Sequence, residues 1–396
     1  MLPSQRDLFD IPREVCYLNA ASWSPLPRAS MDAGRAAVAR KGQPWSLPAD
    51  FAPAQFERAR RAAARLINAG PEDVALISSV SYGVATAGKL FAPPRGTRVL
   101  TLENDHVSPV LEWRARASCA EFVMETVRQP PDGDWTAALL EEIDRPGAPP
   151  VGLASISSVH WSDGCAVDLE RVGAALRRQG AALLIDATHA AGVMALDVRA
   201  LDPDFVVFPT YKWVLGPYGR AFLYVAKRRQ DGAPLEQTGA ARRAVNSETA
   251  PYLRDLGYAD GARRFDMGER DFFVSLETAA IGMEQMAAWG REAVVERLRM
   301  LTDRLADGLH NSGVQVPGAR VRAPHILSLA FPGGMPEGLV EQLAAAQVYA
   351  APRLGRLRIS PHVYNDEADV DRFLANLSRA LRGREPAPDL IRGRDA

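Results

Sequence analysis

Between about residues 54 and 230 the chain alternates short apolar runs with stretches whose apolar positions recur at helical spacing. VALISS (74–79), TRVLTL (97–102), EFVMETV (121–127), VGLASIS (151–157), AALLID (181–186), DFVVFP (204–209) and AFLYVA (221–226) are the expected strands. Several are apolar on both faces, as strands covered by helices on each side must be. Most are separated by enough chain for a crossover helix, such as DLERVGAALRRQG at 168–180. The pattern predicts an α/β protein with a mostly parallel sheet, whose ligands should sit at the carboxyl ends of the strands.

After Lys227 the rhythm changes. A polar, Arg-rich stretch to about 265 gives way to two long helical patterns, LETAAIGMEQMAAW (276–289) and REAVVERLRMLTDRLADGLHNSG (291–313), the second ending on a Gly suited to a helix C-terminus. A compact α+β portion follows, made of HILSLAF (325–331), a helix near 336–346, RLRIS (356–360) and the amphipathic DEADVDRFLANLSRAL (366–381). The expected organisation is an N-terminal arm (1–30), a large domain (31–290), a smaller C-terminal domain (291–383) to which the arm contributes, and a loose charged tail (384–396).

Lys plus Arg (47) balances Asp plus Glu (48), so the chain offers no electrostatic footprint for nucleic acid or an anionic membrane. The first ten residues carry two aspartates where a secretory leader needs a basic and then an apolar region, and a cytoplasmic location is expected. Three scattered cysteines, Cys16, Cys119 and Cys165, fit neither a disulfide framework nor a metal site.

The candidate chemistry lies at strand ends. VALISS runs into Ser78, Ser79, Val80 and Ser81 and then a helical pattern, and a helix N-terminus is an anion site; Ser81 can equally be an ordinary N-cap. Asp186 closes an apolar strand, where a poorly hydrated carboxylate needs a cation, and His189 follows three residues later. His106 stands just after the strand at 97–102. Lys212 lies three residues past DFVVFP between Tyr211 and Trp213, where a desolvated lysine loses its proton more readily and becomes able to form a Schiff base. Anion site, carboxylate, imidazole and amine in this order are what pyridoxal 5'-phosphate requires.

These motifs, with YLNAASWSPLP (17–27) and LRISPHVYNDEADVDRFL (357–374), resemble class V aminotransferase-family enzymes, among them cysteine desulfurases, selenocysteine lyases, kynureninases and isopenicillin N epimerase-like proteins. The resemblance covers nearly the whole chain. It implies the PLP-dependent transferase fold type I, with a seven-stranded sheet in the large domain, an amino-acid substrate and a homodimer. It also implies roles: Lys212 for the Schiff base, Asp186 on the pyridinium nitrogen, His106 stacked on the ring and His189 near the phenolic oxygen. Ser81, Thr210 and Tyr211 would serve the phosphate. Arg358 would take the substrate's α-carboxylate, with Asn19 and Trp161 beside the substrate and His160 and Tyr349 as further candidates for that wall. Two departures stand out. Val80 occupies a phosphate-segment position where relatives often place a hydroxyl, and FDMGERDFF replaces the Gly-Thr pair that reaches the phosphate across the dimer, leaving Arg270 as the substitute. No cysteine follows Cys165, so the loop AAQVYAAPRLGRL cannot supply the thiol of a cysteine desulfurase. The expected function is a lyase cleaving a Cβ substituent of the C–S type, or an epimerase-like enzyme; aminotransferase and kynureninase-like hydrolase are the alternatives.

Overall fold

The computed structural model describes residues 2–243, 256–271 and 273–382. Seven strands form the central sheet: β1 (Val74–Ile77), β2 (Arg98–Leu102), β3 (Val123–Val127), β4 (Val151–Ser157), β5 (Ala182–Asp186), β6 (Phe205–Pro209) and β7 (Ala221–Val225). Their order is β1-β7-β6-β5-β4-β2-β3. β7 pairs antiparallel with β1 and β6, and every other pairing is parallel. All seven expected strands are therefore present, and they build the α/β fold type I.

Alternate residues of each central strand point into two separate apolar layers. In β5, Leu184 packs with Val99, Leu153 and Val207 on one face. Ile185 packs with Leu76, Ile156 and Phe208 on the other. The first face is covered by α1 (Val80–Leu90) and α2 (Val107–Ala117). The second is covered by the helix Phe51–Leu66, by α3 (Leu169–Arg178) and by α4 (Ser275–Trp289). Each of these fully buried aliphatic side chains contributes about 1.5–3 kcal/mol. Only β3, at the edge, is half-exposed, and it begins two residues later than the apolar run EFVMETV suggests.

α4 is followed at Gly290 by α5 (Arg291–Gly308). α5 ends about one turn before Gly313, the stop expected from the sequence, because Asn311 already takes a left-handed conformation; Gly308 lies against Leu374 of α6 (Glu367–Arg382), where a Cβ would collide. A second, three-stranded antiparallel sheet is built from β8 (Leu327–Leu329), β9 (Ala351–Arg353) and β10 (Arg356–Ile359) in the order β9-β10-β8. The N-terminal segment lies against this portion. Cys16 and Tyr17 pair in parallel with Val348 and Tyr349, Asn19 bridges Ser360, and Arg6 holds the buried Asp369 at 3.0 Å. The tail expected from residue 384 lies outside the described residues. Among the described residues no helix is long and apolar enough to cross a membrane.

Candidate active site

The carboxyl ends of β1, β2, β4, β5 and β6 surround a cavity of about 260 Å³, lined by Ser78–Ser81, His106, Ser157, Trp161, Asp186, His189, Tyr211 and Lys212, among others. Opening β1 into the cavity requires a close helix. Gly83, in the first turn of α1, permits it, because a Cβ there would sit 2.7 Å from a Val207 methyl. Ser79, not Ser81, is the N-cap, its hydroxyl accepting from the Tyr82 amide at 3.1 Å. Ser81 therefore lies inside the first turn, with its hydroxyl 3.1 Å from that of Ser79. The amides of Val80 and Ser81 precede the intrahelical ladder, so α1 presents open N–H groups here whether or not residue 80 carries a hydroxyl.

Asp186 ends β5 nearly buried, and Oδ1 accepts from both the amide and the hydroxyl of Thr188. Both bonds fall on one oxygen, which leaves Oδ2 able to meet a cation. Lys212 is equally buried, and loss of hydration, with Arg358 nearby, brings its amine down to about 7. A neutral, nucleophilic amine is thus accessible near physiological pH. The chain holds four lysines, Lys41, Lys89, Lys212 and Lys227, and Lys212 alone among them is buried.

His189 stands between this amine and the indole of Trp213. Trp213 Nε1 donates to His189 Nδ1 at 2.9 Å, and His189 Nε2 lies 3.4 Å from Lys212 Nζ. An indole can only donate, so Nδ1 must accept and the imidazole proton sits on Nε2, facing the cavity. Burial holds this ring neutral, its pKa falling well below the usual range. The indole is itself packed against His325, edge-on at 4.3 Å, and against His362, stacked at 5.5 Å. His362 accepts from the Val363 amide at Nδ1 and so donates from Nε2 to the Trp213 carbonyl. The C-terminal run RISPHVYN thereby braces the residue next to the lysine. Trp213→Phe removes the lock on the His189 tautomer. It is expected to slow turnover about tenfold, the cost of one buried hydrogen bond, and to raise the pH at which the Lys212 amine reacts in a reductive-alkylation titration. An unchanged pH profile would leave the indole as packing alone.

His106 lines the cavity and also caps α2, with Nδ1 accepting from the Ser108 amide. It is held by Asp105, which accepts from the His106 amide at 2.7 Å and the Ser157 hydroxyl at 2.6 Å. Loss of hydration pushes the Asp105 carboxyl up to about 6. Trp161 closes one side, its Nε1 donating to the Asn104 carbonyl at 2.7 Å and its ring edge-on to His106 at 6.3 Å. Tyr211 closes another, against Tyr218 at 4.5 Å.

Other expected residues lie elsewhere. Thr210 is fully buried and its hydroxyl donates to the carbonyls of Pro217 and Arg220, so it cannot also serve a phosphate; it fastens the turn after β6. Arg270 does not line its own chain's cavity: its guanidinium holds Asp266 at 2.8 Å and covers the Phe56 ring. His160 is buried beneath the site, stacked on Trp135 at 4.8 Å and bonded to the Glu103 carbonyl, so it supports the wall without forming it. Tyr349 is used in the short pairing with Tyr17. Arg358 stands behind Trp161, with Nη1 donating to the Trp161 carbonyl at 2.7 Å, Nη2 donating to Ser22 Oγ at 2.8 Å, and a buried Nε without an acceptor among the described residues. Asn19 keeps a buried Oδ1 that has no partner among the described residues. Trp213, Asp105, Ser22 and Arg353 are the residues that sequence reasoning did not assign. The aromatic next to the lysine was the one signal for any of them.

This donor set fits pyridoxal 5'-phosphate: an amine for its aldehyde carbon, an uncommitted carboxylate oxygen for its ring nitrogen and open helix amides for its phosphate. The family model described as aminotransferase class-V matches residues 17–373. An isopenicillin N epimerase of Streptomyces clavuligerus is 28% identical over 387 residues, covering 93% of this chain and 95% of that one. The apo structure of a cysteine desulfurase from Thermococcus onnurineus NA1 superposes with a TM-score of 0.83 at 21% identity, covering 97% of this chain and 99% of that one. The cystine C–S lyase C-DES, in complex with its product cysteine persulfide, superposes with a TM-score of 0.81 at 20% identity over 92% of this chain and 98% of that one.

Proposed function

Because the chain belongs to the class-V aminotransferase family of pyridoxal 5'-phosphate-dependent enzymes, we propose that it acts on an α-amino acid and cleaves a substituent of the C–S type from its β-carbon, using Lys212 as base and no cysteine of its own. The observation that carries this reading is the buried Lys212 amine, dischargeable near pH 7, in one cavity with Asp186 and with no thiol on its wall.

When bound, the cofactor withdraws electrons from the α-carbon of the substrate, so that a bond there can break. In this reading Lys212 would hold the aldehyde carbon, Asp186 Oδ2 the ring nitrogen, and the first turn of α1 with the Ser81 hydroxyl the phosphate. His189 would donate from Nε2 to an oxygen in front of Lys212. Arg358 would take the substrate's α-carboxylate on its vacant Nε edge. Lys212 would be placed to take the α-proton on Nζ and to pass it to the sulfur that leaves the β-carbon, so that the substituent departs as a thiol. Trp161 and Tyr211 keep water from that proton.

All three thiols stand away from this chemistry. Cys16 is buried with its Sγ against the Asp369 carbonyl, Cys165 is buried beside Asp163, and Cys119 is exposed after the last turn of α2. Burial raises the pKa of both buried thiols, which opposes thiolate formation. The variant Cys16→Ala, Cys119→Ser, Cys165→Ala is therefore expected to release pyruvate and ammonia from S-substituted cysteines within about twofold of the wild-type rate, apart from a stability loss of about 1–2 kcal/mol per buried site. Loss of turnover in a variant that still melts cooperatively would mean that a cysteine takes part. A second reading, epimerisation, is favoured by His106, a further proton carrier on the cavity wall. Racemisation of the α-carbon without release of pyruvate is its signature.

A further inference from the structure

Behind the Trp161 indole two guanidiniums meet with no acid between them. Nη2 of Arg353, at the end of β9, donates to Ser22 Oγ at 2.7 Å, and Nη2 of Arg358, in β10, donates to the same oxygen at 2.8 Å. Arg353 gives its other bond to the Pro352 carbonyl. Among the described residues neither arginine has a carboxylate within ion-pair distance, whereas the buried Arg60, Arg98 and Arg297 hold Asp266, Glu142 and Glu367.

One hydroxyl oxygen neutralises neither cation, and two like charges sharing it repel each other most strongly where water is scarce. Burial first, and Arg353 second, bring the Arg358 guanidinium down to about 9. The Lys212 amine feels both arginines, so the pair is electrically part of the cavity. The arrangement is that of a site awaiting negative charge.

A single α-carboxylate accounts for Arg358, whose Nε edge is buried and vacant. It leaves Arg353 over. This side chain is only half-buried, with Cζ 5.9 Å from the Trp161 ring centroid, so it stands on the outer side of the wall that Arg358 supports from within. Three of its five donors remain for a planar anion. From this we infer that Arg353 and Ser22 form a second anion subsite, and that the substrate is an α-amino acid whose side chain carries a further carboxylate. The inference rests on the proposed reading of the chain as an amino-acid enzyme, but not on which bond breaks.

The test is a titration of the holoenzyme, followed by the change in its cofactor absorption, with L-aspartate, L-glutamate and L-norvaline. The wild type is expected to bind at least one of the dicarboxylates about tenfold or more tightly than norvaline. Arg353→Gln is expected to erase that preference while leaving norvaline within about twofold, and Arg358→Gln to weaken all three. Two results overturn the inference: no preference for a dicarboxylate in the wild type, or an equal loss for all three ligands in Arg353→Gln, which would mean that both arginines serve the α-carboxylate. If no amino acid perturbs the absorption of a cofactor-loaded protein, the amino-acid reading itself fails, and the subsite with it.

Discussion

Lys212→Ala is expected to lower turnover by about 10⁴-fold or more, since it removes at once the covalent anchor and the base at the α-carbon. Fold loss cannot account for such a result, because the native protein bears a cost at this position. The Lys212 amine titrates near 7 in the folded chain against 10.5 ordinarily, chiefly through burial. Between those values the unfolded chain binds more protons, so stability rises with pH across this window, and the full cost is present below pH 7. Lys212→Met, which keeps the volume, should therefore stabilise the apo-protein by about 2–4 kcal/mol at pH 7. The gain in melting temperature should shrink as pH approaches 10.5. A variant that loses stability at every pH would show that the ammonium is well solvated or paired.

Asp186→Asn carries the second-largest expected effect, a fall in kcat on the order of 10²–10³. The amide can still accept from Thr188 through its oxygen, so the local turn survives. What it cannot do is offer a negative oxygen to a protonated ring nitrogen, and the deficit should appear in kcat more than in KM. If the carboxylate serves only to hold Thr188, the asparagine variant will turn over normally.

Strands buried on both faces announce themselves as unbroken apolar runs, which is why β4 was legible to the residue and β5, β6 and β7 to within one. The edge strand β3 was less sharp because half of its surface faces water and its pattern need not be apolar. The end of α5 was placed about a turn too far along because Asn311, which also adopts the left-handed conformation, turns the chain before Gly313 is reached. The motif residues at strand ends converge on one cavity because parallel strands deliver their carboxyl ends to the same side of the sheet. Thr210 shows the limit of that logic. It neighbours Tyr211 and Lys212 in sequence, yet the turn at 216–220 needs its hydroxyl.

Contacts that join distant segments left almost no trace. Ser22 meets Arg353 and Arg358 only because the N-terminal segment lies along the β9–β10 hairpin, more than 300 residues away in sequence. The Trp213 indole fixes the His189 proton across 24 positions, and nothing in FPTYKWVLGPYG reveals that the ring turns toward residue 189. Such roles belong to the folded geometry, where a donor-only group settles which nitrogen of an imidazole is free to act.

Reducing the holoenzyme with borohydride and mapping the labelled peptide identifies the lysine to which the cofactor is joined. A pyridoxyl group is expected on the peptide containing Lys212 and on none containing Lys41, Lys89 or Lys227, the only other lysines in the chain. Label on one of those three, or a cofactor-loaded protein that takes up no label, would contradict the role given to Lys212.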